Sequence, residues 1–163
     1  MTPLPPPTDL VLEYRAELLA RLEQQPAALA AALAPIPAAR WRLAHTPDGR
    51  TVHLAVAHLR DLEALAYLPH VRQILAEDLP TLTAAWHHNW SAAGYDPAEP
   101  MTAILMTWSQ ARTELLACLR PLPPAGWGRL GFHPPSGKRT VQWWVERAYL
   151  HAQGHLVAIQ QAA

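Results

Sequence analysis

The chain has 163 residues, of which half are hydrophobic, and its 13 basic side chains balance its 13 acidic ones. With no net charge and no Lys/Arg block it has nothing to hold a phosphate backbone, which argues against nucleic-acid binding, and no apolar run approaches the roughly 20 residues of a membrane span. The start, Met1-Thr2-Pro3-Leu4-Pro5-Pro6-Pro7, lacks the basic and apolar parts of a signal peptide, so the expectation is one soluble, cytoplasmic domain over residues 1–163 with a single sizeable core.

Seventeen prolines fall mostly between the periodic segments and mark their ends. Helix one is expected to start after Pro7, with Thr8 or Asp9 as its cap, and to run to about Gln25. Pro26 then opens a separate Ala/Leu-rich helix ending near Ala34. A loop through Pro35, Pro37 and the turn-like Pro47-Asp48-Gly49 leads to Thr51, which caps helix two over Thr51 to Ala76, kinked or broken at Pro69. Asp78 to Pro100, with the turn signal Gly94-Tyr95-Asp96-Pro97, forms a long connection. Helix three follows from about Thr102 to Arg120, and a Pro/Gly-rich link reaches helix four at Thr140. No strand-like alternation and no repeat is visible, so the expected fold is an all-α four-helix bundle with one long crossover between helices two and three.

Two of these helices carry histidines on their inward stripes. In helix four the apolar residues Val141, Trp144, Val145, Ala148, Ala152 and Ile159 run at 3-4-4 spacing through His151 and His155. Residues four apart lie one turn apart on the same face, so both imidazoles can reach one ion without backbone distortion. In helix two, Leu54, His58, Leu62 and Leu65 form a 4-4-3 stripe that puts His58 on the core side. Buried imidazoles need partners for their ring nitrogens, and with no carboxylate between them a metal ion is a common acceptor. The competing reading gives each imidazole its own backbone carbonyl or water. Three neutral imidazoles on two facing helices would make an open tetrahedral or octahedral site with room for water or substrate. Imidazole must be neutral to bind, so metal affinity is expected to fall as the pH drops through about 6.

Other residues compete for a role around such a site. Asp61, one turn beyond His58, can orient a ligand or be a solvated helix-face carboxylate. Arg112, beside the inward stripe of helix three, can attract an anionic substrate or thiol, or lie along the surface with its charge in water. Trp86, Trp90, Trp108 and Trp144 can form an apolar substrate wall or simply pack. His87 and His88 sit in the crossover, and as adjacent residues they cannot both face one ion on a helix. The lone Cys118 excludes an internal disulfide and a Cys-rich zinc site, and on the stripe Trp108, Ala111, Leu115, Leu119 it reads as a small core residue before a reactive thiol.

The segments Ala57-His58-Leu59-Arg60-Asp61-Leu62-Glu63, His133-Pro134-Pro135-Ser136-Gly137, Thr140-Val141 and Tyr149-Leu150-His151-Ala152-Gln153-Gly154-His155-Leu156 together resemble, in order and spacing, the DinB/YfiT-like metalloenzymes. The likeness covers nearly the whole chain. It implies a four-helix bundle whose divalent metal, zinc or nickel, is held by His58, His151 and His155. It also implies a metal-dependent transferase that activates a low-molecular-weight thiol such as bacillithiol against electrophilic or toxic small molecules. Members that resemble the thiol-transferase branch often carry a further His where this chain has Gly154. The transferase is the first expectation; the alternatives are a metal-dependent hydrolase, which the open metal position also allows, and a stress-associated protein that holds a metal or ligand without turnover. No Ser/His/Asp or Cys/His constellation, P-loop or dinucleotide fingerprint supplies another chemistry. Leu10, Val11, Leu12, Tyr14, Leu18, Leu19, Leu22, Leu29 and Leu33 make the N-terminal helical region more apolar than one inward face needs, from which a homodimer is expected.

Overall fold

The computed structural model describes residues 7–83 and 94–162, so the middle of the expected crossover, with Trp86, His87, His88 and Trp90, lies outside the described residues. The molecule is a four-helix bundle. Its helices are α1 (Pro7–Leu33), α2 (Val52–Leu62) continued through a π-turn (Glu63–Tyr67) into α3 (Leu68–Ala76), α4 (Met101–Leu119) and α5 (Val141–Gln160). α1 packs on α4 and α5, and the α2–α3 rod packs on the same two helices from the other side. Among the described residues no helix is long and apolar enough to cross a membrane.

Side-chain caps set two of the starts. Thr51 Oγ1 accepts the Leu54 N–H at 3.2 Å and Thr140 Oγ1 accepts the Trp143 N–H at 3.1 Å, each satisfying a donor with no partner inside its helix. α1 departs from expectation: it is one helix with Pro26 inside it, not two helices meeting there. A mid-helix proline costs about 3 kcal/mol. Leu22 and Leu29, fully buried on either side of Pro26, anchor both halves to the bundle and outweigh that cost.

The π-turn is the second departure. Its Leu68 N–H reaches back five residues to Glu63 O, and this widening carries the rod on past Pro69 instead of breaking there. It also inserts one residue into the face. At about 100° per residue, Leu65 would return to the line of His58 in an uninterrupted α-helix. Here Leu65 is 50% exposed, and Ala66 and Tyr67 take the inward places.

The third departure is a β-hairpin in the link between α4 and α5: β1 (Leu130–His133) pairs antiparallel with β2 (Gly137–Thr140) around a Pro134-Pro135-Ser136 turn. Gly137 closes that turn at φ +76°, a conformation glycine adopts without penalty. The strands are too short to show an alternation in the sequence. Phe132 exchanges backbone hydrogen bonds with Pro80 and Leu82, and the Arg129 guanidinium donates to Ile74 O and Glu77 O, which fastens the hairpin to the end of α3. A Cβ at Gly131 would lie 2.7 Å from Ile74 Cγ1 and 3.0 Å from Leu82 Cδ1. Gly131→Ala is therefore expected to lower stability by about 1–3 kcal/mol, read as a lower urea midpoint; an unchanged midpoint would show that the hairpin is not tightly seated.

The core has two apolar halves. One gathers Leu18, Leu22, Val71, Ile74, Leu115 and Trp144, the other Leu29, Val56, Ile104, Trp108, Leu156 and Ile159. Cys118 packs at the margin of the first half, as a small apolar residue would. Between the halves runs a polar belt that ties all the bundle helices together. Arg112 Nε and Nη2 donate to the two carboxylate oxygens of Glu63 at 2.7 and 2.9 Å, Arg112 Nη1 donates to Gln25 Oε1 at 2.6 Å, and Gln25 Nε2 donates to Tyr149 O at 3.0 Å.

Candidate metal centre

The belt's neighbour is the histidine site. His58 comes from α2 and His151 and His155 from α5; their Nε2 atoms converge, with His151 Nε2 3.1 Å from that of His58 and 3.2 Å from that of His155. The rings are mutually tilted, with centroids 4.7–5.1 Å apart. Among the described residues these are the donors that gather closely enough to hold an ion. Nitrogens about 2.0–2.1 Å from a zinc-like ion stand about 3.0 Å apart in an octahedral arrangement and about 3.3 Å apart in a tetrahedral one, and the observed separations fall between these. Hydrogen bonding cannot explain the arrangement as well: a neutral imidazole nitrogen offers one lone pair or one proton, whereas His151 Nε2 faces two other nitrogens at once. The donor set fits a divalent ion.

Burial keeps all three imidazoles neutral. It is the largest cause in each case, and for His58 and His151 the neighbouring His155 adds to it by opposing a second positive charge. Arg50 pushes in the same direction on all three. The pKa of His58 falls to about 4, while His151 and His155 are also lowered. The expected loss of metal affinity near pH 6 therefore moves to lower pH. A ligand whose metal-free pKa is depressed competes with protons only as the pH approaches that lower value, so zinc affinity should be flat from about pH 7 to about pH 5 and fall below it. Titration with a competing chelator across this range would check it, and a loss beginning at about pH 6.5 would contradict the neutral-cluster geometry.

One side of the cluster opens to a cleft of about 490 Å³ lined by Asp48, Arg147, Leu150, Gly154 and Val157 together with His151 and His155. Asp48 belongs to the Thr46–Arg50 turn, which Gly49 closes at φ +84°. Its carboxylate accepts from Thr46 Oγ1 and from the Arg50 guanidinium; with burial working the other way, these partners bring its pKa below the usual carboxylate value. Asp48 is thus ionised at neutral pH. A Cβ built on Gly154 meets nothing within 4 Å, so the missing side chain leaves the cleft wider. Arg147 sits one turn before His151, with its guanidinium 5.7 Å from the Trp143 ring centroid.

Of the other expected site residues, Asp61 accepts from Arg60 Nε at 2.6 Å, and Arg60 in turn reaches Glu99, so this carboxylate is committed to an ion-pair chain and is not among the converging donors. Arg112 neither lies on the surface nor faces a substrate; it is 1% exposed because Glu63, brought inward at the π-turn, pairs with it inside the bundle. Trp108 is fully buried in the second apolar half, with the Arg112 guanidinium 5.3 Å from its ring centroid, and is core and not wall. Trp144 is likewise buried, its ring in edge contact with those of His70 and His133. The sequence reading missed Asp48, Arg50 and Arg147. Only Arg147 leaves a local trace, its spacing of four from His151; the turn carrying Asp48 and Arg50 is close in space alone.

The DinB superfamily profile matches residues 21–159. Among solved structures the fold is similar to YfiT from Bacillus subtilis, described as a probable metal-dependent hydrolase with an unusual four-helix bundle topology, at a TM-score of 0.79 and 20% identity over 91% of this chain and 85% of that one. No curated protein sequence matches the chain.

Proposed function

The chain belongs to the DinB superfamily, and from that membership and the three converging imidazoles we propose that it is a metal-dependent hydrolase acting on an amide or ester of a small molecule. The observation that carries the reading is an ionised carboxylate, Asp48, lining the same cleft as His151 and His155. A divalent ion, with zinc or nickel suited to an imidazole set, supplies Lewis acidity that makes water a competent nucleophile near neutral pH. His58, His151 and His155 hold it. The Asp48 carboxylate offers an acceptor for the proton that water gives up, and Arg50 and Thr46 fix its orientation. Leu150 and Val157 give the substrate an apolar wall.

The test is turnover of p-nitrophenyl esters and N-acyl amides by zinc-, nickel-, cobalt- and manganese-loaded protein. Saturable hydrolysis that needs no thiol and disappears in His58→Ala is expected. Product formed only when bacillithiol, mycothiol or glutathione is present with a chloro-aromatic electrophile would replace this reading with the second one, a thiol-dependent S-transferase, which the Arg50 and Arg147 guanidiniums favour because they suit an acidic thiol. Saturable ligand binding without any product would leave a binding protein.

The association state is part of the same reading. Leu18, Leu22, Leu29 and Leu33 of α1 are buried within the chain, but Leu10, Val11, Leu12 and Tyr14 are exposed, and we propose that a second copy covers them. Sedimentation equilibrium at tens of micromolar should give about twice the 18.0 kDa of one chain; a mass of one chain would reject the dimer.

A further inference from the structure

We infer that the substrate carries a straight aliphatic acyl chain, which lies along α5 from the imidazoles towards Gln161, against Val157, Ala158 and Pro47. This rests on the hydrolase reading and names the class of acyl group the same cleft takes.

The inference starts from where the cleft goes after it has passed the donors. Its lining on α5 does not stop at His155 but continues through Val157, Ala158 and Gln161, with Pro47 beside them. Gly154, Val157, Ala158 and Gln161 stand at spacings of three and four, which puts them on one strip of the helix, next to His151 and His155. Beyond His155 no lining residue of α5 is ionisable. Val157 is 43% exposed although apolar, and Ala158 is half-buried beside it. A lone exposed valine needs no explanation on a surface, but this one continues the cleft of a reactive centre, where hydrocarbon of the substrate laid against it leaves water. At Gly154 a Cβ would meet nothing within 4 Å, so the first carbons after the scissile carbonyl have room to turn onto the strip. The strip is one helix row wide, which suits an unbranched chain. Its length sets a limit: six residues from His155 to Gln161 rise about 9 Å, the span of an extended chain of about seven carbons. At that point the Gln161 amide replaces apolar lining with polar groups. The strip is also separate from the α1 patch assigned to a second copy. Tyr14 of that patch reaches Glu146, about 16 Å before Val157 along α5.

The experiment is calorimetry of straight-chain alkyl hydroxamates, from acetohydroxamate to decanohydroxamate, on zinc-loaded protein. A chain on an open face buries one side only, so affinity should rise about twofold per carbon up to about seven carbons and then level off. The heat capacity change of binding should grow more negative over the same range, and the rise should not depend on salt. The quantity compared between variants is the ratio of affinities for heptanohydroxamate and acetohydroxamate, expected to be about thirtyfold in the wild type, with zinc content and thermal midpoint measured alongside. Val157→Ser should cut this ratio severalfold, and Ala158→Leu should bring the levelling-off to a shorter chain. A ratio near one in the wild type, a rise that runs on evenly to ten carbons, a rise unchanged in both variants, or no binding of any member would overturn the inference. An unchanged rise in Val157→Ser together with a halved mass in sedimentation would likewise overturn it, by assigning Val157 to a subunit contact. The hydrolase reading fails on a separate result, no ester or amide turnover by the metal-loaded protein; the length preference is read without turnover and would then stand as that of a ligand.

Discussion

His151→Ala abolishes stoichiometric binding of zinc and, with it, any metal-dependent activity; this is the largest effect expected of a single substitution. His151 Nε2 is the central donor, 3.1 and 3.2 Å from the other two, and its removal leaves His58 and His155 with no third nitrogen to close the set. Loss of one of three protein ligands should weaken binding at least a hundredfold, more than the ten- to hundredfold typical of losing a residue that merely orients a ligand. Removing a partly exposed imidazole from the cleft wall should leave the bundle folded. Elemental analysis after dialysis against a weak chelator measures the effect, and circular dichroism confirms the fold. One equivalent of zinc retained by the variant would mean that the metal is held elsewhere.

Glu63→Ala has the largest expected effect on stability. It strips Arg112 of both carboxylate hydrogen bonds in a place where the guanidinium is only 1% exposed, leaving Gln25 as its remaining partner in the belt. Breaking a buried pair by removing one partner costs about 3–5 kcal/mol, because the other charge stays out of water uncompensated. For a chain of this size each kcal/mol moves the midpoint by about 2–4 °C, so Tm should fall by about 10 °C. Replacing both residues, with Glu63→Met and Arg112→Met together, should recover most of that loss, since well-packed apolar groups often substitute for a buried pair at little cost. A Glu63→Ala midpoint equal to wild type would show that Arg112 is hydrated or paired otherwise, and the belt would lose its place as the tie between the helices.

That belt also explains why some residues could be read from the chain and others could not. The caps at Thr51 and Thr140 depend on contacts three residues apart, and the facing of His151 and His155 on one turn of helix. Local spacing is enough to find them. His58 joins them through a separate helix, yet it too was legible, because the inward apolar stripes of two helices packed on one core meet there. The four bundle helices, with α4 and α5 close to their expected bounds, follow from the same periodicity.

Tertiary structure alone decided the rest. Whether Pro26 ends a helix depends on what Leu22 and Leu29 pack against, and the π-turn follows from the fit of Glu63 and Tyr67 into the bundle. That one inserted residue turned Leu65 out to solvent, brought Tyr67 to within 6.0 Å of the His151 ring between centroids, and is the turn at which Glu63 pairs with Arg112 inside the bundle. The hairpin came from pairing with the end of α3 across some fifty residues of chain. Asp48 reached the histidines through a turn about a hundred residues from His151 and His155. A metal site of three imidazoles was written in short-range spacing because each helix presents its ligands by its own geometry; the charges that line the cleft came from loops and faces whose neighbours only the packed bundle assigns.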